Sequence, residues 1–138
     1  MKVLQTLGKH RSKQVGVLQY KRTPTVVEFE GLAGSARRAG NFSLTNGEWN
    51  QILTAIQASP QGTFRLTPRA ATVTTPPNQD LYTLISAAVS VPAAGWTWND
   101  SRKAAVCAVL EHEGSIDLYH GTIGRGVPPA FVALARDI

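Results

Sequence analysis

Thr45-Asn46-Gly47-Glu48 stands immediately before Trp49, Ile52, Leu53 and Ile56, and no other stretch constrains the fold as strongly. Thr-x-x-Glu is the spacing of a capping box, in which the threonine oxygen and the glutamate carboxylate satisfy each other's backbone N–H groups at the first turn of a helix. The four apolar residues fall at i, i+3, i+4 and i+7, on one helical face. Ser59-Pro60-Gln61-Gly62 closes the segment. The spacing predicts a helix over 46–58 whose apolar stripe needs a core to cover it.

The preceding residues read as that core. Gln14–Tyr20 and Thr25–Glu30 form an antiparallel pair, rich in β-branched and aromatic residues and alternating from Val27 onward. Lys21-Arg22-Thr23-Pro24 makes the turn between them, with proline setting the backbone. Asn41–Leu44 is a short third strand. Gly31 to Gly40, with three glycines and Arg37-Arg38, reads as a loop.

Beyond the helix, Thr63–Thr67 reads as a strand and 68–77 as a Thr- and Pro-rich extended connection. The latter is a candidate linker inside what is otherwise one domain, 1–138. A second helix is expected over about 80–89, ending before Pro92. Residues 96–121 admit two readings. A helix at 100–113 has Asn99 or Asp100 to cap it and Gly114 to end it. A β-meander satisfies the apolar run Val106–Leu110 equally well. It also accounts for Trp96 and Trp98 at spacing two, and for Ile116, Leu118 and His120 alternating with polar neighbours. The meander is the favoured reading. Ala130–Ala135 adds a short final element. The class expected is therefore α+β, with an antiparallel sheet of five or more strands and two helices.

A chain of 138 residues can bury a core without staples. The single cysteine, Cys107, lies in an apolar run and reads as a small buried hydrophobe; no intrachain disulfide can form, and the cytoplasm is the expected compartment. No segment approaches the roughly 18 apolar residues of a membrane span, and the N-terminus does not read as a signal peptide. Charged residues make up 17% of the chain, below the usual quarter or so, which suits a surface that packs against something, a second copy of the chain included.

The net charge of +5 is concentrated at one end. Residues 1–38 hold eight basic side chains, Lys9, Arg11, Lys13, Lys21, Arg22, Arg37 and Arg38 among them, against Glu28 and Glu30. Residues 39–138 hold six basic and seven acidic. Phosphate backbones reward such clustering, because each neutralised phosphate releases condensed counterions.

Gly40 to Leu53, from Gly-Asn-Phe-Ser-Leu through Thr-Asn-Gly-Glu-Trp into the helix, resembles the strand-to-helix junction of the single-stranded-DNA-binding family typified by transcriptional positive cofactor four. The strands upstream fit that family's order, so the resemblance spans 14–58. It implies a curved antiparallel sheet that binds unpaired strands through basic and aromatic side chains, as a dimer joined through its helices. By position, Lys21, Arg22, Arg37 and Arg38 would flank the sheet, with Tyr20 and Phe42 stacking on bases. Asn41 and Gly47 depart from the family's pattern, and residues 60–138 have no counterpart in it.

Other motifs carry less. Leu118-Tyr119-His120-Gly121-Thr122 is similar to the His-Gly-Thr segment of ADP-ribosyltransferases, but only sixteen residues follow it and none is glutamate. His112, Glu113, Asp117 and His120 lack recognisable metal-ligand spacing. Gly121–Gly126 matches no phosphate loop. Glu28 and Glu30 share a strand face with no evident partner. Trp49, Trp96 and Trp98 read as core or interface residues, with one of the last two as a stacking platform. No nucleophile, base and orienting group assemble from local spacing, so neither an enzyme nor a cofactor is expected.

The leading expectation is a protein that binds nucleic acid, single strands before duplex. The alternatives are a structural or assembly protein, such as a viral or mobile-element subunit, and an inhibitor acting by protein–protein contact.

Overall fold

The computed structural model describes residues 2–5, 16–58, 63–65, 81–121 and 130–135. Four strands, β1 (Lys2–Gln5), β2 (Val17–Arg22), β3 (Val26–Ala33) and β4 (Asn41–Thr45), form one antiparallel sheet in the order β1-β2-β3-β4. Three helices accompany it: α1 (Asn46–Ala58), α2 (Leu81–Ala88) and α3 (Asp100–His112). A second antiparallel sheet takes β5 (Thr63–Arg65), β6 (Ile116–Gly121) and β7 (Ala130–Ala135) in the order β5-β7-β6. The class is α+β.

The register explains which face of the main sheet is covered. Tyr20 pairs with Phe29 and Phe29 with Phe42, while Val27 pairs with Leu44. All five are buried, together with Leu18 of β2 and Trp49, Ile52 and Ile56 of α1. The helices lie on this one face. The other face carries Gln19, Lys21, Glu28, Glu30, Asn41 and Ser43, the alternate set that a period of two demands.

The capping box forms as the spacing predicts. Glu48 N–H donates to Thr45 Oγ1 at 3.0 Å, and Thr45 N–H donates to Glu48 Oε1 at 2.9 Å. Glu48 Oε2 also accepts the Ala93 N–H at 3.0 Å, so a single carboxylate joins the start of α1 to the segment after α2.

Three expectations are corrected. Residues 96–121 are not a meander: α3 occupies 100–112, the alternative reading, and of the meander's strands β6 survives. Asn99 caps α3, its side chain accepting the Arg102 N–H at 2.8 Å, and Gly114 takes the left-handed backbone (φ +86°) that ends it. The alternation at Ile116, Leu118 and His120 belongs to β6, whereas Ala105 to Leu110, Cys107 among them, are all buried, so that run held no period to separate helix from strand. The strands also divide between sheets of four and three, so no single sheet of the described residues reaches five. At the β4 edge the Trp96 Nε1–H donates to Ser43 O at 2.7 Å, occupying an acceptor that a fifth strand would need. Finally, Gly31–Gly40 is not simply a loop: β3 continues to Ala33, and a 3-10 helix spans Gly34–Ala39. The connection at 68–77 lies outside the described residues.

Gly31 is where this 3-10 helix closes on the sheet. A Cβ there would stand 2.0 Å from Ala36 O, and the Gly31 N–H donates to Gly40 O at 2.8 Å. Only glycine permits that approach.

Candidate nucleic-acid interface

The 3-10 helix is docked on the start of α3. Asn99 Nδ2 donates to Arg38 O at 3.3 Å, and Arg102 Nε donates to Ala39 O at 3.0 Å. Arg102 also donates to Thr97 O. Its guanidinium lies 5.5 Å from the Trp96 ring centre and 5.8 Å from that of Phe42, within cation–π range. Arg37 and Arg38, exposed in the last turn of the 3-10 helix, therefore stand at the start of α3 near Arg102, whereas the Lys103 ammonium lies 6.0 Å from the ring centre of Tyr82 in α2. Asp100 is the one acidic side chain in this stretch of α3.

Trp96 and Trp98 complete the cluster. Their rings meet edge to face at 4.6 Å, and Trp96 meets Phe42 in the same way at 4.9 Å. Both indole N–H groups are satisfied by backbone, Trp96 by Ser43 O and Trp98 by Val89 O, each at 2.7 Å. Both tryptophans are half-buried. Each is held by its polar edge and leaves ring surface at the boundary with solvent.

The sequence-expected residues are distributed differently. Tyr20 and Phe42 do not stand ready for bases: each is 6% exposed and belongs to the core, Phe42 stacked on Phe29 at 4.4 Å. Alternation along β2 and β4 puts them on the face that α1 and α3 cover. Lys21 is exposed on the open face. Arg22 forks onto Glu113 at 2.7 Å through both Nε and Nη2 and lies 5.4 Å from the Trp49 ring centre. The Lys21-Arg22 and Arg37-Arg38 pairs sit at opposite ends of the sheet, because Arg22 pairs with Val27 whereas Leu18 pairs with Gly31. Those positions are about 13 Å apart along the strand. No single stripe joins them on the open face, where Glu28 and Glu30 intervene. Lys9, Arg11 and Lys13 lie outside the described residues.

Around Glu113 the electrostatics are local. Burial, then the neighbouring Glu113 carboxylate, raises the Tyr20 hydroxyl above its ordinary value of 10.0. The Tyr20 hydroxyl donates to Glu113 Oε2 at 3.3 Å. Among the described residues no three His, Cys, Asp or Glu side chains gather to hold a metal ion, and no helix is long and apolar enough to cross a membrane.

Arg102 and Lys103 escaped the sequence reading, although Trp-x-Trp-Asn-Asp-Ser-Arg-Lys contained a signal. Two cations in the first turn or so of a helix face the positive end of its dipole, where acidic residues are favoured. No known protein family, curated protein or solved structure matches the chain.

Proposed function

We propose that the chain binds nucleic acid, single strands ahead of duplex, at the end of the sheet where the 3-10 helix meets α3. The observation that carries this reading is the docking of the 3-10 helix that bears Arg37 and Arg38 against Arg102, whose guanidinium lies over the half-buried Trp96 next to Trp98, with Lys103 following on α3. Arginines and lysines hold phosphates, and indole faces take unpaired bases without regard to sequence, each stack being worth roughly 1–3 kcal/mol. An anion bound here would offset the repulsion between the helix dipole and Arg102 and Lys103. The concentration of basic residues in the first 38 positions supports the same reading. So does the resemblance of residues 14–58 to the single-stranded-DNA-binding family, although the binding surface proposed here lies beside β4 instead of across the sheet.

Fluorescence anisotropy with a labelled single-stranded oligonucleotide and its duplex, each over a salt series, tests it. Single-strand-biased binding that falls linearly in log–log salt is expected, weakened when Arg37 and Arg38 become alanine. An absence of binding at low salt overturns it.

A further inference from the structure

We propose that the groove on the open face of the four-stranded sheet takes an unpaired guanine base, a deepening that rests on the nucleic-acid reading above. The groove is a shallow, solvent-open depression of about 430 Å³ between β3, β4 and the segment that covers the β4 edge, with Phe29 and Phe42 also in its lining. Glu28, Glu30, Asn41 and Ser43 supply its polar lining, and Ala94 and Trp96 form a wall. Glu28 pairs with Ser43 and Glu30 with Asn41, so the four side chains rise from one face as two adjacent cross-strand pairs. Gln19 Nε2 donates to Glu30 Oε2 at 2.6 Å, which steadies that carboxylate, and two oxygens give it acceptor capacity beyond this bond.

The chemistry of this lining selects among bases. Unpaired bases are read on their Watson–Crick edges while a ring stacks against their faces. Guanine offers a carboxylate two parallel donors on that edge, the ring N1–H and the exocyclic amine. Adenine and cytosine put a ring-nitrogen acceptor beside the amine, and thymine and uracil flank their N–H with two carbonyls. A carboxylate repels those acceptors. Glu28 and Glu30 also repel phosphates, which keeps the backbone at the arginine end and reserves the groove for a neutral base. Trp96 joins the two regions, since it lines the groove and lies 5.5 Å from the Arg102 guanidinium.

The experiment compares four labelled oligothymidines in anisotropy: one unsubstituted, the others carrying a single central guanine, adenine or cytosine. Uncharged guanosine is titrated alongside against tryptophan fluorescence. The guanine-bearing strand is expected to bind roughly tenfold tighter than the other three. Guanosine is expected to perturb the fluorescence, and E28Q/E30Q to erase the preference while leaving oligothymidine binding at least as tight. Four equal, salt-dependent affinities would overturn the groove assignment and leave the nucleic-acid reading standing. A guanine preference that survives E28Q/E30Q also overturns it. No binding by any strand, with guanosine silent, sinks both.

Discussion

Arg22 and Glu113, ninety-one residues apart in sequence, meet in a fork of two 2.7 Å hydrogen bonds that ties the end of β2 to the C-terminal cap of α3. The Tyr20 hydroxyl donates to the same carboxylate at 3.3 Å. The Arg22 side chain is 42% exposed and that of Glu113 is 21% exposed, so solvent screens the pair, but the fixed bidentate geometry places it above the ordinary surface ion pair. Glu113→Gln is expected to lower stability by about 1 kcal/mol at low salt and by less at high salt. Urea midpoints at two ionic strengths check this, and equal midpoints for wild type and variant would remove the fork from the stability argument.

The capping box offers a sharper contrast. Thr45→Ala removes one acceptor at the start of α1 and is expected to cost about 1 kcal/mol. Glu48→Ala strands two backbone donors, Thr45 N–H and Ala93 N–H, at a side chain only 9% exposed. Its cost should exceed that of Thr45→Ala by about 1–2 kcal/mol. Chemical denaturation of both variants measures the difference. Equal costs would mean that the Ala93 bond contributes nothing.

Gly31→Ala is expected to be the most damaging small substitution in the sheet. The new Cβ would meet the Ala36 carbonyl oxygen at 2.0 Å, and that atom is backbone, unable to swing aside. Overpacking of this kind costs about 3 kcal/mol or more, and relief requires the 3-10 helix to leave its seat on α3. Since the proposed binding cluster is built on that seat, oligonucleotide affinity should fall together with the thermal midpoint.

The cap could be read from sequence because its signal is local: Thr45 and Glu48 bond each other across three residues, and the Ala93 N–H that Glu48 also accepts is the distant partner. The fate of α3 could not. Its apolar run is enclosed on all sides, so no helical periodicity was left to see, and only Asn99 and Gly114 at its ends pointed the right way. The site was less legible still. Alternation told that Tyr20 and Phe42 share a face, not that helices cover it. Trp96 and Trp98 at spacing two lie outside any strand: Trp96 caps the β4 edge at Ser43 O, and Trp98 reaches Val89 O after α2. Arg37-Arg38 and Lys21-Arg22 look like neighbours in a list of basic clusters, and the register puts them at opposite ends.

Alkaline pH should unfold the chain through its buried acids. Burial first, then the charge of Glu111, pushes the Cys107 thiol well above its ordinary 9.0, and burial does the same to the Tyr82 hydroxyl, ordinarily 10.0. A raised folded-state value means that the unfolded chain releases its proton first as pH rises. The stability linked to each group is therefore intact below about pH 9 and declines above it, at about 1.4 kcal/mol per pH unit per group once the unfolded form has ionised. Urea midpoints from pH 7 to 11 should be flat and then fall, with a shallower fall in Cys107→Ala. A thiol reagent should label Cys107 only with unfolding; rapid labelling of native protein at pH 8 would contradict its burial.

Arg37 and Arg38 separate a phosphate contact from a structural role. Both side chains are exposed, so R37A/R38A should change stability by no more than about 0.5 kcal/mol. If each neutralises one phosphate, the log–log salt slope for single-stranded binding should become shallower by about 1.4, since each contact contributes about 0.7. Affinity should then fall most at low salt, where counterion release is worth most, and fall by a similar factor for strands of every sequence. Arg102 provides the contrast, because its guanidinium holds the Ala39 and Thr97 carbonyls as well as lying over Trp96. Arg102→Lys keeps the charge but loses the planar fork, so it should lower the thermal midpoint and weaken binding with little change in salt slope. An unchanged slope in R37A/R38A would take these two arginines out of the interface and leave their charge as a property of the surface.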